Sequence, residues 1–182
     1  MIKCSTIFMW SYIMFKYFTS LVFFLLLIGC SSHFLTKNKD FSLEKKYAIG
    51  SFWNYTETSM AGLKAASIVE GVLLKNKITL YSLIEGNEEF TLNKNQKDLL
   101  NIQLKEAKSL GADYFITGEV QEWRYKIGID GEPVVSYSIK IIDLKNKERV
   151  FSAIGAKSSW GHKSIGIVAQ EIADELLPKF IK

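Results

Sequence analysis

The sequence predicts a single α/β domain whose elements run βαβαβββα, forming a mixed sheet with helices mainly on one face. Three observations carry that prediction. Helix-period and strand-like apolar stretches alternate from Lys46 to Asp113, two long strand-like runs joined by turn residues follow, and a last amphipathic stretch ends the chain.

Lys46 to Trp53 opens the domain as an apolar strand. Ser59 is placed to cap a helix in which Ala61, Ala65, Ile68, Val69, Val72 and Leu73 form one stripe, opposite Lys64, Ser67, Gly71 and Lys75. Lys77 to Leu83 is rich in strand formers. Asn93 with Gln96 resembles a capping box that starts a second helix, with Leu100, Leu104, Ala107 and Leu110 turned inward and Gly111 as its stop.

Asp113 to Tyr125 and Val134 to Asp143 read as strands joined by a turn around Asp130-Gly131. In the second, Val135, Tyr137, Ile139 and Ile141 alternate with Val134, Ser136, Ser138 and Lys140, so one face is buried and the other wet. Lys145-Asn146-Lys147 turns the chain into a strand from Arg149 to about Ser158. The last helix carries Ile165, Val168, Ala169, Ile172, Leu176 and Phe180 on one stripe, with Pro178 at its final turn. Two early crossovers make the first strands parallel neighbours, and the later hairpins extend the sheet antiparallel.

The 182 residues suffice for one domain with a proper core. Their 48% hydrophobic content is unevenly spread, because Ile7 to Gly29 is almost wholly apolar or aromatic. Net charge is +4, and removing Lys3 and Lys16 with that leader leaves 21 basic against 19 acidic residues. Lysines alternate with acids along Lys94 to Lys108 and Asp143 to Arg149, the pattern of solvated faces and not of a nucleic-acid stripe.

The leader has the layout of an export signal. Met14-Phe15-Lys16 supplies a positive start, Tyr17 to Ile28 an apolar middle, and Leu27-Ile28-Gly29-Cys30 the cutting site, followed by Ser31 and Ser32. Met14 alone would begin a complete signal, so either Met1 or Met14 serves as the start. An uncleaved span from Ile7 to Gly29 would bury Lys16 in the bilayer at a cost of several kcal/mol. The tetrapeptide resembles the lipobox of bacterial lipoproteins, with Ile28 where Ala or Ser is frequent. That resemblance implies cleavage between Gly29 and Cys30 and lipidation of the Cys30 thiol and amine, and two or more acyl chains anchor stably. Ser31, where inner-membrane lipoproteins of enteric type carry Asp, implies the outer membrane, facing the periplasm. Ser31 to Lys45 is polar and without a sustained period, which predicts a flexible tether of residues 30–45 ahead of a domain over residues 46–182.

The element order, with Leu110-Gly111-Ala112-Asp113-Tyr114-Phe115-Ile116-Thr117-Gly118-Glu119-Val120, resembles a superfamily of bacterial envelope lipoproteins. It includes the curli secretion lipoprotein, the penicillin-binding-protein activators and the amino-terminal domain of TolB. Ile142-Asp143-Leu144-Lys145-Asn146 and Trp160-Gly161 are similar to segments of uncharacterised lipoproteins in the same group. The resemblance implies interaction with protein partners and no reaction. Neither the curli pore nor the synthase activator role transfers, because no spare pair of membrane hairpins is present and the tether is short.

Residue chemistry points the same way. Cys4 would leave with the leader and Cys30 is taken by lipid, which removes disulfides, cysteine nucleophiles and thiolate metal sites. His33 and His162 have no evident partner set, and no phosphate loop, nucleophile elbow or zinc-protease motif occurs. The acid pairs Glu88-Glu89, Glu119 with Glu122, and Glu171 with Glu175 read as surface decoration, the second on opposite faces of a strand and the third on a solvent face. No cofactor or metal is expected. Trp123 and Tyr125, sharing a strand face, and Trp160 are the candidate partner-binding aromatics, against core packing as the plainer role. The expectation is a non-enzymatic lipoprotein that binds another envelope protein as an assembly or activation factor. The alternative is a lipid or cell-wall-fragment binder serving an envelope transporter, which requires an apolar cleft between sheet and helices.

Overall fold

Tyr47, Ala48, Ile49 and Gly50 are all buried, the pattern of a strand covered on both faces, and they form β2 (Tyr47–Gly50) inside the sheet. The computed structural model describes Lys16, Tyr17 and residues 31–37, 45–84, 96–128, 131–160 and 163–177. The chain divides into two compact units, Met1–Cys30 and Ser31–Lys182, and the second holds the folded domain. Cys30 and nearly all of the signal, together with Asn93, Asp130, His162, Pro178, Phe180 and the pair Glu88-Glu89, lie outside the described residues.

The other strands are β1 (Ser31–Lys37), β3 (Trp53–Asn54), β4 (Leu80–Leu83), β5 (Tyr114–Tyr125), β6 (Pro133–Asp143) and β7 (Arg149–Ser158). The helices are α1 (Ala61–Lys75), α2 (Gln96–Ser109) and α3 (Ile165–Leu176). The sheet order is β1-β7-β6-β5-β2-β4, with the short β3 beside β5. β2 runs parallel to β4 and β5, as two crossovers require, while β5, β6, β7 and β1 are joined antiparallel. The predicted α/β class and element order therefore stand, with β1 and β3 added.

Two helices share one face. α1 and α3 cover Ile49, Ile116, Tyr137, Ile139, Ile141 and Phe151, all at most 1% exposed, and each such side chain contributes roughly 1.5–3 kcal/mol on burial. The Tyr137 hydroxyl, buried here, donates to the Ala169 carbonyl of α3 at 2.7 Å, and burial pushes its pKa far up. α2 lies on the other face over a smaller cluster built on Ala48, Leu83, Phe115 and Leu144.

Local details differ from expectation in three places. Met60, not Ser59, precedes the first turn of α1; it is left-handed (φ 60°) and gives no side-chain cap. The buried stripe of α2 is Leu99, Gln103 and Ala107, with Leu100 and Leu104 only partly buried, while Leu110 falls past the end of the helix and is 42% exposed. Ser31–Lys37, expected as the start of a flexible tether, forms β1 and pairs along its whole length with β7, from Ser31 opposite Lys157 to Lys37 opposite Phe151. His33 and Leu35 face α3, and Ser32, Phe34 and Thr36 face the opposite side.

Candidate functional site

The sequence-predicted aromatics separate. Trp123 is 4% exposed and belongs to the main core, so it is corrected from binding residue to packing residue. Tyr125, beyond the core on the same face, is 50% exposed, and Trp160 is 75% exposed. Both lie at the sheet end where β5 leaves and β6 starts: Tyr125 pairs with Pro133, and the Ser159 amide donates to the Pro133 carbonyl at 3.2 Å. Ile127, in the intervening turn, is fully exposed. Ser31 also begins at this end, since its partner Lys157 is in turn paired with Val135.

A concavity of about 490 Å³ lies on the α2 side of the sheet. Thr117, Gly118 and Glu119 of β5, Lys140 and Ile142 of β6 and Arg149 of β7 make its floor. Leu99, Leu100 and Gln103 of α2 form one wall, and the segment from Ser51 to Met60 forms the other. That segment is stitched by its own side chains. Asn54 donates to the Thr58 carbonyl at 2.8 Å and accepts from the Thr56 amide at 2.9 Å, and the Thr58 hydroxyl donates to the Trp123 carbonyl at 2.5 Å. The loop is thus tied to the core and to β5.

Gly118 is required by this packing. A Cβ there would collide with the Ser138 carbonyl and the Phe52 ring, so the bare strand lets Phe52 lie against it. Gln103, 2% exposed, donates to the Leu83 carbonyl at 2.9 Å and the Ser51 hydroxyl at 3.3 Å, which satisfies the one buried amide of the wall. Glu119 is paired with Lys140, while Arg149 at the rim is exposed. The cleft therefore offers shape, a partly apolar lining and hydroxyls; among the described residues lining it there is no histidine or cysteine.

The acid pairs are placed differently from expectation. A bulge between Val120 and Glu122 sets Glu119 opposite Ser138 and Glu122 opposite Ser136, so both acids share one face. They remain separately engaged, Glu119 by Lys140 and Glu122 by Arg124 at 3.2 Å. Glu171 and Glu175 are half-buried where α3 borders β7 and β1: Lys157 reaches them at 2.9 and 2.8 Å, Lys163 reaches Glu171 at 2.5 Å, and the His33 Nε2 meets Glu175 at 2.5 Å. His33 thus has a partner that its sequence position did not suggest. Lys163 and then Lys157 hold the Glu171 carboxyl below its usual range. At Glu175 burial acts to raise the pKa, but Lys157 and His33 outweigh it and the net direction is down. Burial likewise acts to lower Lys157, and its two carboxylate partners reverse that to a raised value. Among the described residues no group of three or more metal-ligating side chains is assembled.

No family model matches the chain, and no curated protein does. Solved structures do. A PelC dodecamer from Paraburkholderia phytofirmans is 30% identical, aligns with 84% of this chain and 100% of that one, and superposes with a TM-score of 0.71. A second crystal form of that dodecamer gives 32% identity, 84% and 99% coverage, and a TM-score of 0.69. The lipoprotein GNA1162 from Neisseria meningitidis, 14% identical over 72% of this chain and 96% of its own, superposes at 0.55 and shares the fold. The fold is thus one used by bacterial lipoproteins.

Proposed function

Since the chain belongs to the PelC family, we propose that it is a lipid-anchored, non-enzymatic lipoprotein of the outer membrane that works as a homo-oligomer and docks another envelope protein. PelC from Paraburkholderia phytofirmans is a dodecamer, and its whole length is matched here. In this reading Gly29-Cys30 is cut, Cys30 is acylated, and the mature domain faces the periplasm.

One observation carries the anchoring. β1 starts at Ser31, the residue bonded to Cys30, and the exposed Trp160, Tyr125 and Ile127 lie at the same end of the sheet. Acyl chains at Cys30 would leave the domain where its apolar side chains are already exposed, and Trp and Tyr are the residues that favour a membrane-water boundary. These aromatics then face lipid first, with the partner protein docking elsewhere.

Mass spectrometry of the protein purified from envelopes tests this reading. Loss of residues 1–29 and added acyl mass on Cys30 are expected, together with an assembly larger than one chain in native spectra. An intact leader or an unacylated Cys30 would overturn the anchoring. A second reading, a binder of a lipid or wall fragment, is favoured by the cleft between sheet and α2. Solvent extraction of the purified protein decides it: a stoichiometric small molecule supports that reading, and a clean extract ends it.

A further inference from the structure

Among the described residues, no helix covers one side of half of the sheet. On that side α2 packs on β2 and β4, whereas α3 lies against β6, β7 and β1 on the opposite face. At the centre of the open half, Phe34 and Ile154 stand directly opposite one another in the β1–β7 register and are 67% and 44% exposed. Their neighbours on this face are short: Ser32 and Thr36 on β1, Ser152 and Ala156 on β7. Lys140 is a charge on its border, and Glu119 already neutralises it.

A sheet face that meets water ordinarily carries lysines and glutamates, which also guard against unwanted pairing. On this face the charges lie toward one border, Glu119 with Lys140, Glu122 with Arg124 and the exposed Arg149, while the Phe34 and Ile154 pair is ringed by hydroxyls and a methyl, the composition of an interface centre. Orientation narrows the occupant. β1 runs for seven residues from Ser31, about 20 Å at strand rise, so a lipid at its start would leave this face looking sideways along the membrane and not down into it. Sideways along the membrane stand other copies of the same anchored chain, and the PelC relatives are dodecamers.

We propose that a second copy of this chain docks on the open face of β6, β7 and β1, with Phe34 and Ile154 at the centre of the contact. The proposal rests on the homo-oligomeric reading above and adds the surface that makes it. The test uses the full lipidated chain in mild detergent, comparing wild type, Phe34→Glu, Ile154→Lys and, as a control on the exposed side of α1, Leu74→Glu by native mass spectrometry and thermal melting. The expected result is an assembled wild type and control, and monomers for Phe34→Glu and Ile154→Lys at the same concentration, each variant still melting in one cooperative transition. If both charged variants stay assembled, the surface is wrong and the homo-oligomer stands. A monomeric wild type overturns both. Should a charged variant fail to fold, Phe34→Ser and Ile154→Ser decide in the same way, since serine already occupies neighbouring positions of this face.

Discussion

At the residue scale, the tryptophans show what a sequence conveys and what it withholds. Period-two alternation correctly set Trp123 and Tyr125 on one strand face, but how far the core extends along that face depends on α1 and α3, which pack from distant sequence. Trp123→Ala should cost about 3–5 kcal/mol in urea unfolding, because a fully packed indole is removed from the core. Trp160→Ala should change stability by no more than about 0.5 kcal/mol while weakening partition of the protein onto vesicles. The glycines give a sharper contrast. Gly118→Ala should lose about 1–3 kcal/mol by forcing a methyl between Phe52 and the Ser138 carbonyl. Gly71→Ala, in the middle of α1 with open space around it, should gain about 0.5–1 kcal/mol. Sequence alone marked both as glycines within an element, and only the packing distinguishes them.

At the element scale, the long segments were legible: β5, β6 and β7 lie within a residue of their predicted bounds, and the apolar stripes of α1 and α3 fall inside the helices, Phe180 lying outside the described residues. β1 was not, because its alternation of His33 and Leu35 with Ser32, Phe34 and Thr36 becomes a strand only beside the exposed edge of β7. The bulge that brings Glu119 and Glu122 to one face was equally hidden, since a one-residue slip leaves no compositional mark. β1 also brings His33 to the cluster in which α3 meets β7, and that cluster predicts a pH profile. Glu171 and Glu175 are held low in the folded state, so their stabilisation is present above the usual carboxyl value of 4.5 and is lost as pH falls through the folded values. Lys157 is held high, so its contribution is complete below 10.5 and is lost as pH rises beyond it. Tyr47, pushed up to about 12 by burial and then by Tyr114 and Asp113, adds to the alkaline loss between 10 and about 12. Denaturant unfolding at intervals from pH 3 to 11 should show a plateau with both flanks falling, and Lys157→Met should flatten the acid flank.

At the scale of the whole molecule, the parallel core strands, the antiparallel extension and the helix order could be read from one sequence because each element carries its own period. The cleft could not: its walls come from α2 and the Ser51 to Met60 segment, and its depth depends on contacts such as Gln103 with Leu83. Nor was the open half of the second face legible, since which strands a helix covers is set by packing between segments distant in sequence. Membership of the PelC family makes concentration dependence the decisive whole-molecule measurement. If assembly and folding are linked, the melting temperature should rise with protein concentration, and that rise should vanish in Phe34→Glu. The path of β1 has a mechanical consequence as well. It is antiparallel to β7 and begins at Ser31, so tension from an anchored terminus would pull along the strand axis. The hydrogen bonds from Ser31 to Lys37 would then bear that load together in shear, and an envelope under strain would be resisted by the whole edge instead of being unzipped rung by rung.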